Sequence, residues 1–175
     1  MSTSQLRALY EQRRVALQRH PSLARSTVQA HARLTIGLRC EVRHGERITH
    51  VDLPEGQGGT ATAAGPGDLL RASLGACLAM GYRAWGALLG LELADVEVDV
   101  TVEFDARGQL GLADDVAIGW QRLLVDVRIA SDAPAAEIYR LVEHANRLSP
   151  MLANLSPAIV RVHSLSIQRP HLSPQ

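Results

Sequence analysis

Gly65-Pro-Gly-Asp-Leu-Leu-Arg-Ala-Ser-Leu-Gly-Ala-Cys77-Leu-Ala-Met80, running on through Gly81-Tyr-Arg-Ala-Trp-Gly-Ala-Leu-Leu89, decides the architecture. Gly65-Pro66-Gly67 reads as a stop followed by a helix start. Asp68 then serves as N-cap or first-turn acid; either way the free amides and dipole of the helix start favour it. From Leu69 to about Leu89 the helix is apolar or small nearly all round, with Ala72, Ser73, Gly75, Ala76, Ala79, Gly81, Ala84, Gly86 and Ala87. Such a helix is expected to be buried, with neighbouring backbones close against its small residues. Gly90 supplies the C-cap.

Beyond it, Val96, Val98, Val100, Val102 and Phe104 alternate with Glu97, Asp99, Thr101 and Glu103. That is a strand with one apolar and one acidic, solvated face. Asp105 to Gly119 is an insertion, and Leu123, Val125, Val127 and Ile129 mark the next strand. Asp132 caps a second helix with Pro134 in its first turn. Its buried stripe is Ile138, Leu141, Val142, Ala145 and Leu148, and Ser149-Pro150 ends it. Met151 to Pro157 is a connection, Ile159 to Ile167 a last strand, and Arg169 to Gln175 a tail expected to be disordered.

Toward the N-terminus, Thr27 to Val42 carries apolar residues on even positions through Leu34, Ile36, Leu38 and Cys40. It reads as strand, with Cys40 facing the core as a structural thiol. His44-Gly45-Glu46 turns into a return strand, Arg47 to Leu53. Ser4 to Arg19 is an amphipathic helix ended by His20-Pro21. Strands cluster in adjacent pairs, so antiparallel α+β layers are expected rather than a doubly wound parallel sheet.

Composition excludes several function classes. The chain has 175 residues, one domain's length, with 18 basic and 18 acidic side chains, so no net field attracts nucleic acid or anionic lipid. All the strong bases are arginine, which removes Schiff-base and P-loop lysine chemistry. Aromatics at 3% leave no base-stacking platform. The segment Leu69 to Leu93 is interrupted by Arg71, Arg83 and Glu92, short of the roughly 20 uninterrupted apolar residues a membrane span needs. No signal peptide is apparent, so a cytoplasmic location is expected. The histidines at 20, 31, 44, 50, 144, 163 and 171 lack ligand spacing, and neither metal nor cofactor is expected. His144 and His163 read as surface or satisfied residues.

Cys77 is the first candidate for chemistry. A thiol acts as nucleophile when ionised, which needs a cationic or hydrogen-bonding neighbourhood. On its residues alone it also fits a small core residue, because Arg71 and Arg83 each lie six positions away. Cys40 is too distant in sequence to make a Cys-x-x-Cys pair with it.

The segment Gly65 to Met80 resembles the Ala-Cys helix of the OsmC/Ohr superfamily. Leu88-Leu-Gly-Leu-Glu-Leu-Ala-Asp-Val-Glu-Val-Asp-Val100 is similar to the turn and acidic-valine strand that follow it there. Ser131-Asp-Ala-Pro-Ala-Ala-Glu137 and His144-Ala-Asn-Arg-Leu-Ser149-Pro150 resemble the start and end of the family's second long helix. The resemblance spans about Thr27 to Ile167. It implies an intertwined homodimer of antiparallel sheets packed around two long central helices. It also implies reduction of organic hydroperoxides by Cys77, resolved in many members by a second cysteine and aided by an acid and an arginine.

Two departures matter. Ser149 occupies the second-cysteine position, and Gly67 stands where peroxidase members carry Glu, with Asp68 one residue on. Arg39, ahead of Arg25 and Arg33, is the arginine candidate. The resemblance thus implies a one-Cys hydroperoxide reductase in oxidative or osmotic stress defence, recycled by an external thiol. The alternative is a non-catalytic dimer binding an apolar ligand or partner. The expected organisation is a helical extension over 1–25, an OsmC-like domain over 26–168 and the tail 169–175.

Overall fold

The computed structural model describes residues 1–170; the remainder of the tail, 171–175, lies outside the described residues. The chain forms two compact units, one of 1–13 with 73–170 and one of 14–72. The first helix, α1 (Thr3–Arg19), and the Cys77 helix, α2 (Pro66–Leu89), each contribute to both.

In the first unit, β4 (Asp95–Glu103) pairs antiparallel with β5 (Arg122–Ala130), from Asp95 opposite Ala130 to Glu103 opposite Arg122. The expected alternation is present: Leu123, Val125, Val127 and Ile129 are buried, and Val96, Val98, Val100 and Val102 half-buried. The acidic face is less bare than expected. Arg128 Nε donates to Glu97 (2.7 Å), and its guanidinium also pairs with Asp99 (2.8 Å) and Asp126 (3.2 Å).

The last strand corrects the all-antiparallel expectation. β6 (Val160–Gln168) runs parallel to β5, with Arg122 opposite Val160 and Ala130 opposite Gln168. A parallel partner requires a crossover, which a hairpin cannot make. Here α4 (Ala135–Arg147) and the short α5 (Pro150–Ala153) supply it. A helical turn, α3 (Ala106–Gln109), sits in the insertion before β5.

Leu74, Leu78 and Tyr82 of α2 and Ile138, Leu141, Val142 and Ala145 of α4 pack with the inner face of β5 into one core. Leu148 falls outside that stripe and is half exposed. Pro134, rather than Asp132, caps α4, without a side-chain hydrogen bond. Tyr82 is fully buried and donates its hydroxyl to Asn146 Oδ1 at 2.7 Å. Burial raises its phenol to about 12, against the smaller opposing effect of that hydrogen bond. α2 is not buried all round: Ser73, Ala76 and Met80 form an exposed stripe at helical spacing, with Met80 68% exposed.

In the second unit, β1 (His31–Leu34), β2 (Cys40–His44) and β3 (Arg47–Val51) form an antiparallel sheet. The stretch expected as one long strand is broken at Gly37, whose φ of 56° suits glycine and folds β1 back on β2. Leu34 and Ile36 are exposed, so the even-numbered apolar positions there do not enter a core of this chain. The turn at Gly45 is as expected.

Asp52, after β3, is the buried centre of this unit's loop. Its carboxylate accepts from Leu53 N–H (2.8 Å), Thr60 N–H (3.2 Å) and Oγ (2.6 Å), and Thr62 N–H (3.1 Å) and Oγ (2.9 Å). These bonds, the Thr60 hydroxyl first, hold it well below the ordinary carboxylate range. The same loop passes close to its own start. A Cβ at Gly59 would overlap the Leu53 carbonyl, and backbone cannot swing aside as a side chain can. Gly59→Ala should therefore lower the melting temperature by roughly 5 °C or more, on the scale of overpacking effects. An unchanged thermal transition would contradict so close an approach.

Candidate functional site

α2 carries Cys77 on the face bordering the exposed stripe, and the junction of α4 and α5 brings Ser149 to it. Cys77 Sγ and Ser149 Oγ lie 3.8 Å apart across 72 residues of chain. Ser149 is buried, and its Oγ accepts the Leu152 N–H (3.3 Å) as N-cap of α5, with Pro150 at the first helical position. Ser149-Pro150, expected as a helix end, also starts the next turn. Ser73, one turn before Cys77, donates to the Met151 sulfur at 3.8 Å.

Cys77 and Ser149 open onto an apolar cleft of about 560 Å³, walled by Ala76, Met80, Trp85, Leu148, Met151 and Tyr10 of α1. Among the described residues no arginine, histidine or carboxylate lines it. Behind the wall, Trp85 meets the His144 ring edge to face, with centroids 4.4 Å apart and planes at 84°. Arg147 can only donate, so in its 3.3 Å contact His144 Nδ1 is the acceptor. The buried Nε2 has no hydrogen-bond partner among the described residues, contrary to the expectation of a surface or satisfied histidine.

The other sequence candidates belong to the second unit. Asp68 is a first-turn acid of α2 rather than its N-cap. It accepts the Gly65 N–H (2.8 Å), as the acid of a capping box does, and pairs with Arg71. Arg39 follows the Gly37 turn, where its carbonyl accepts the Thr35 N–H (2.9 Å); its side chain is half-buried. Arg25 and Arg33 are exposed. Cys40 is half-buried in β2 rather than enclosed, its thiol directed at the Glu41 carbonyl (3.8 Å). Among the described residues no group of three His, Cys, Asp or Glu side chains converges as metal ligands.

An α+β sheet backed by two helices, with one helix presenting a cysteine to the start of the turn that follows the other, defines a class of thiol-bearing α+β proteins. Within it the chain belongs to the OsmC-like protein family, whose model matches residues 57–163. A crystal structure of an OsmC-like protein from Mycoplasma pneumoniae is similar over 82% of this chain and 98% of that one, with TM-score 0.72 and 14% identity. An organic hydroperoxide resistance protein from Legionella pneumophila matches at 20% identity and TM-score 0.63, over 81% of this chain and 97% of that one. Another from Elizabethkingia anophelis matches at 19% and 0.63, over 83% and 98%. At these identities the likeness is one of fold. No curated protein matches the chain. Among the described residues no helix is long and apolar enough to cross a membrane.

Proposed function

We propose that the chain is a one-cysteine, thiol-dependent reductase of organic hydroperoxides, serving stress defence in the cytoplasm as a homodimer. The observation that carries this is the opening of Cys77 onto an apolar cleft beside Ser149. The family membership and the names of two structural neighbours, both organic hydroperoxide resistance proteins, add support. The exposed Ser73–Ala76–Met80 stripe offers a surface for the second protomer.

The chemistry balances without a cofactor. The Cys77 thiolate attacks one peroxide oxygen, the O–O bond breaks, and the other oxygen leaves as alkoxide and takes a proton to become the alcohol. Cys77 is left as sulfenic acid. A serine cannot reduce it; Ser149 can only hydrogen-bond the new hydroxyl. One external thiol displaces water to form a mixed disulfide, and a second releases Cys77 and departs in the external disulfide.

The second reading, a non-catalytic dimer holding an apolar ligand in this cleft, is favoured by the uncharged lining: it contains no guanidinium to favour a thiolate. Cumene hydroperoxide with a sulfenic-acid trap separates the two. Peroxidase activity requires trap adduct at Cys77, abolished in Cys77→Ser. A folded protein whose Cys77 stays unmodified under excess peroxide would leave only the binding function.

A further inference from the structure

Ser149 is 6% exposed, and a hydroxyl proton so buried needs an acceptor. Its Oγ already accepts the Leu152 N–H (3.3 Å), so its own hydrogen points elsewhere. Among the described residues the Cys77 sulfur, at 3.8 Å, is the other polar atom within hydrogen-bond distance. Were the thiol S–H to point at Oγ instead, the stronger donor of the two would be left buried and unpaired. The separation is long because sulfur is large, and it contracts when charge gathers on the acceptor. Neighbouring donors are committed elsewhere. Ser73, one turn before Cys77, donates to the Met151 sulfur, and the Arg83 guanidinium donates to the Leu93 carbonyl. On α4, Arg147 faces His144, whose ring lies against Trp85. Tyr10 is the other titratable group lining the cleft among the described residues.

We infer that Ser149 is a catalytic residue, whose hydroxyl donates to the Cys77 sulfur and favours the thiolate in a cleft that supplies no cation. A sulfur bearing negative charge accepts more strongly than a neutral one, so the donation favours ionisation. The thiol proton goes to solvent, and Ser149 keeps its own. The Leu152 amide reinforces the effect, because a hydroxyl that accepts a hydrogen bond donates more strongly in turn. The contact joins two atoms of one protomer and needs no empty space beside α2. It therefore persists with a second protomer laid over Ser73, Ala76 and Met80. The inference rests on the proposed function for its catalytic meaning, whereas the hydrogen bond itself depends on no substrate.

The ultraviolet absorbance of the thiolate tests this without any reagent having to reach the sulfur. In each background, subtracting the pH titration of the Cys77→Ser form isolates Cys77 from Cys40 and the tyrosines. Ser149→Ala should move the rise of the thiolate signal upward by about one pH unit, an approximately tenfold loss of thiolate below it. Ser149→Gly, well tolerated at an N-cap, should move it equally. Ser149→Thr keeps the hydroxyl and should titrate as the native protein does. Ile138→Val loosens the α4 core away from the sulfur and should leave the midpoint in place. An unmoved midpoint in Ser149→Ala and Ser149→Gly would overturn the inference. So would an equal shift in Ile138→Val, meaning general loosening, or a Ser149→Thr variant that titrates like Ser149→Ala. If the midpoints shift as expected while Cys77 resists peroxide, the hydrogen bond stands and the reductase proposal falls. If peroxide oxidises Cys77 and the midpoints do not move, the reductase proposal stands and the role of Ser149 falls.

Discussion

Ser149→Cys should turn the site into a two-cysteine one, forming a reversible disulfide with Cys77 on treatment with diamide. The native Sγ–Oγ separation is 3.8 Å, and only a modest rotation is needed to bring two sulfurs to bonding distance. The bridge would close a loop of 72 residues, for which the chain-entropy model gives about 4 kcal/mol. Loss of the Ser149 cap on the Leu152 amide, about 1 kcal/mol, lowers both redox forms of the variant against the native protein and cancels between them. The oxidised variant should therefore melt roughly 10 °C above its reduced form, and dithiothreitol should abolish the gain. Diamide tests the geometry alone. One equivalent of cumene hydroperoxide should give the same product with loss of water if Cys77 forms a sulfenic acid. All three thiols, Cys40 included, still titratable after diamide would show that positions 77 and 149 do not meet.

Asp52→Asn should be among the most destabilising single changes in the second unit, lowering the melting temperature by roughly 5–10 °C. The native carboxylate only accepts, and every group facing it donates. An amide would turn two N–H bonds toward donors and leave buried groups unpaired. Acid should narrow the gap between native protein and variant. The folded pKa is depressed, so the unfolded chain takes up the proton first as pH falls. The contribution of Asp52 is therefore complete above the ordinary carboxylate value of about 4, and is lost as pH drops below it toward the depressed folded value. Hydrogen exchange at the Leu53, Thr60 and Thr62 amides gives a local readout. Unchanged protection in the variant at neutral pH would show that the carboxylate does not organise this loop.

Patterns of period two and 3.6 carried most of the first unit. The β4 and β5 alternation and the first four positions of the α4 stripe could be read directly, because burying one face requires that spacing. Strand direction could not. Ile159 to Ile167 reads the same in either sense, and only the crossover length before it, Ala135 to Ala153, argues for parallel pairing. Asp52 escaped notice because its partners come eight and ten residues later; the Thr60-Ala-Thr62 spacing after a strand-end acid was the available signal. The exposure of Leu34 and Ile36 defeats a parity argument, which supplies a face but not the surface that covers it. At the site, Cys77 is a candidate on its own chemistry, whereas Ser149 and its pairing with Cys77 follow only from the family resemblance, since nothing local links residues so far apart.

The parallel pairing of β6 with β5 has a consequence for the newly made chain. The α4–α5 crossover that carries Ser149 is bounded by these two strands, and β6 extends to Gln168. Cys77 leaves the ribosome long before that strand does. Until the crossover is pinned, the sulfur has no cleft around it and can meet oxidants or other nascent thiols without selection. Chain still on the ribosome should thus be the form most prone to indiscriminate thiol damage, and a cell under oxidative load would lose this protein during its synthesis sooner than after its release.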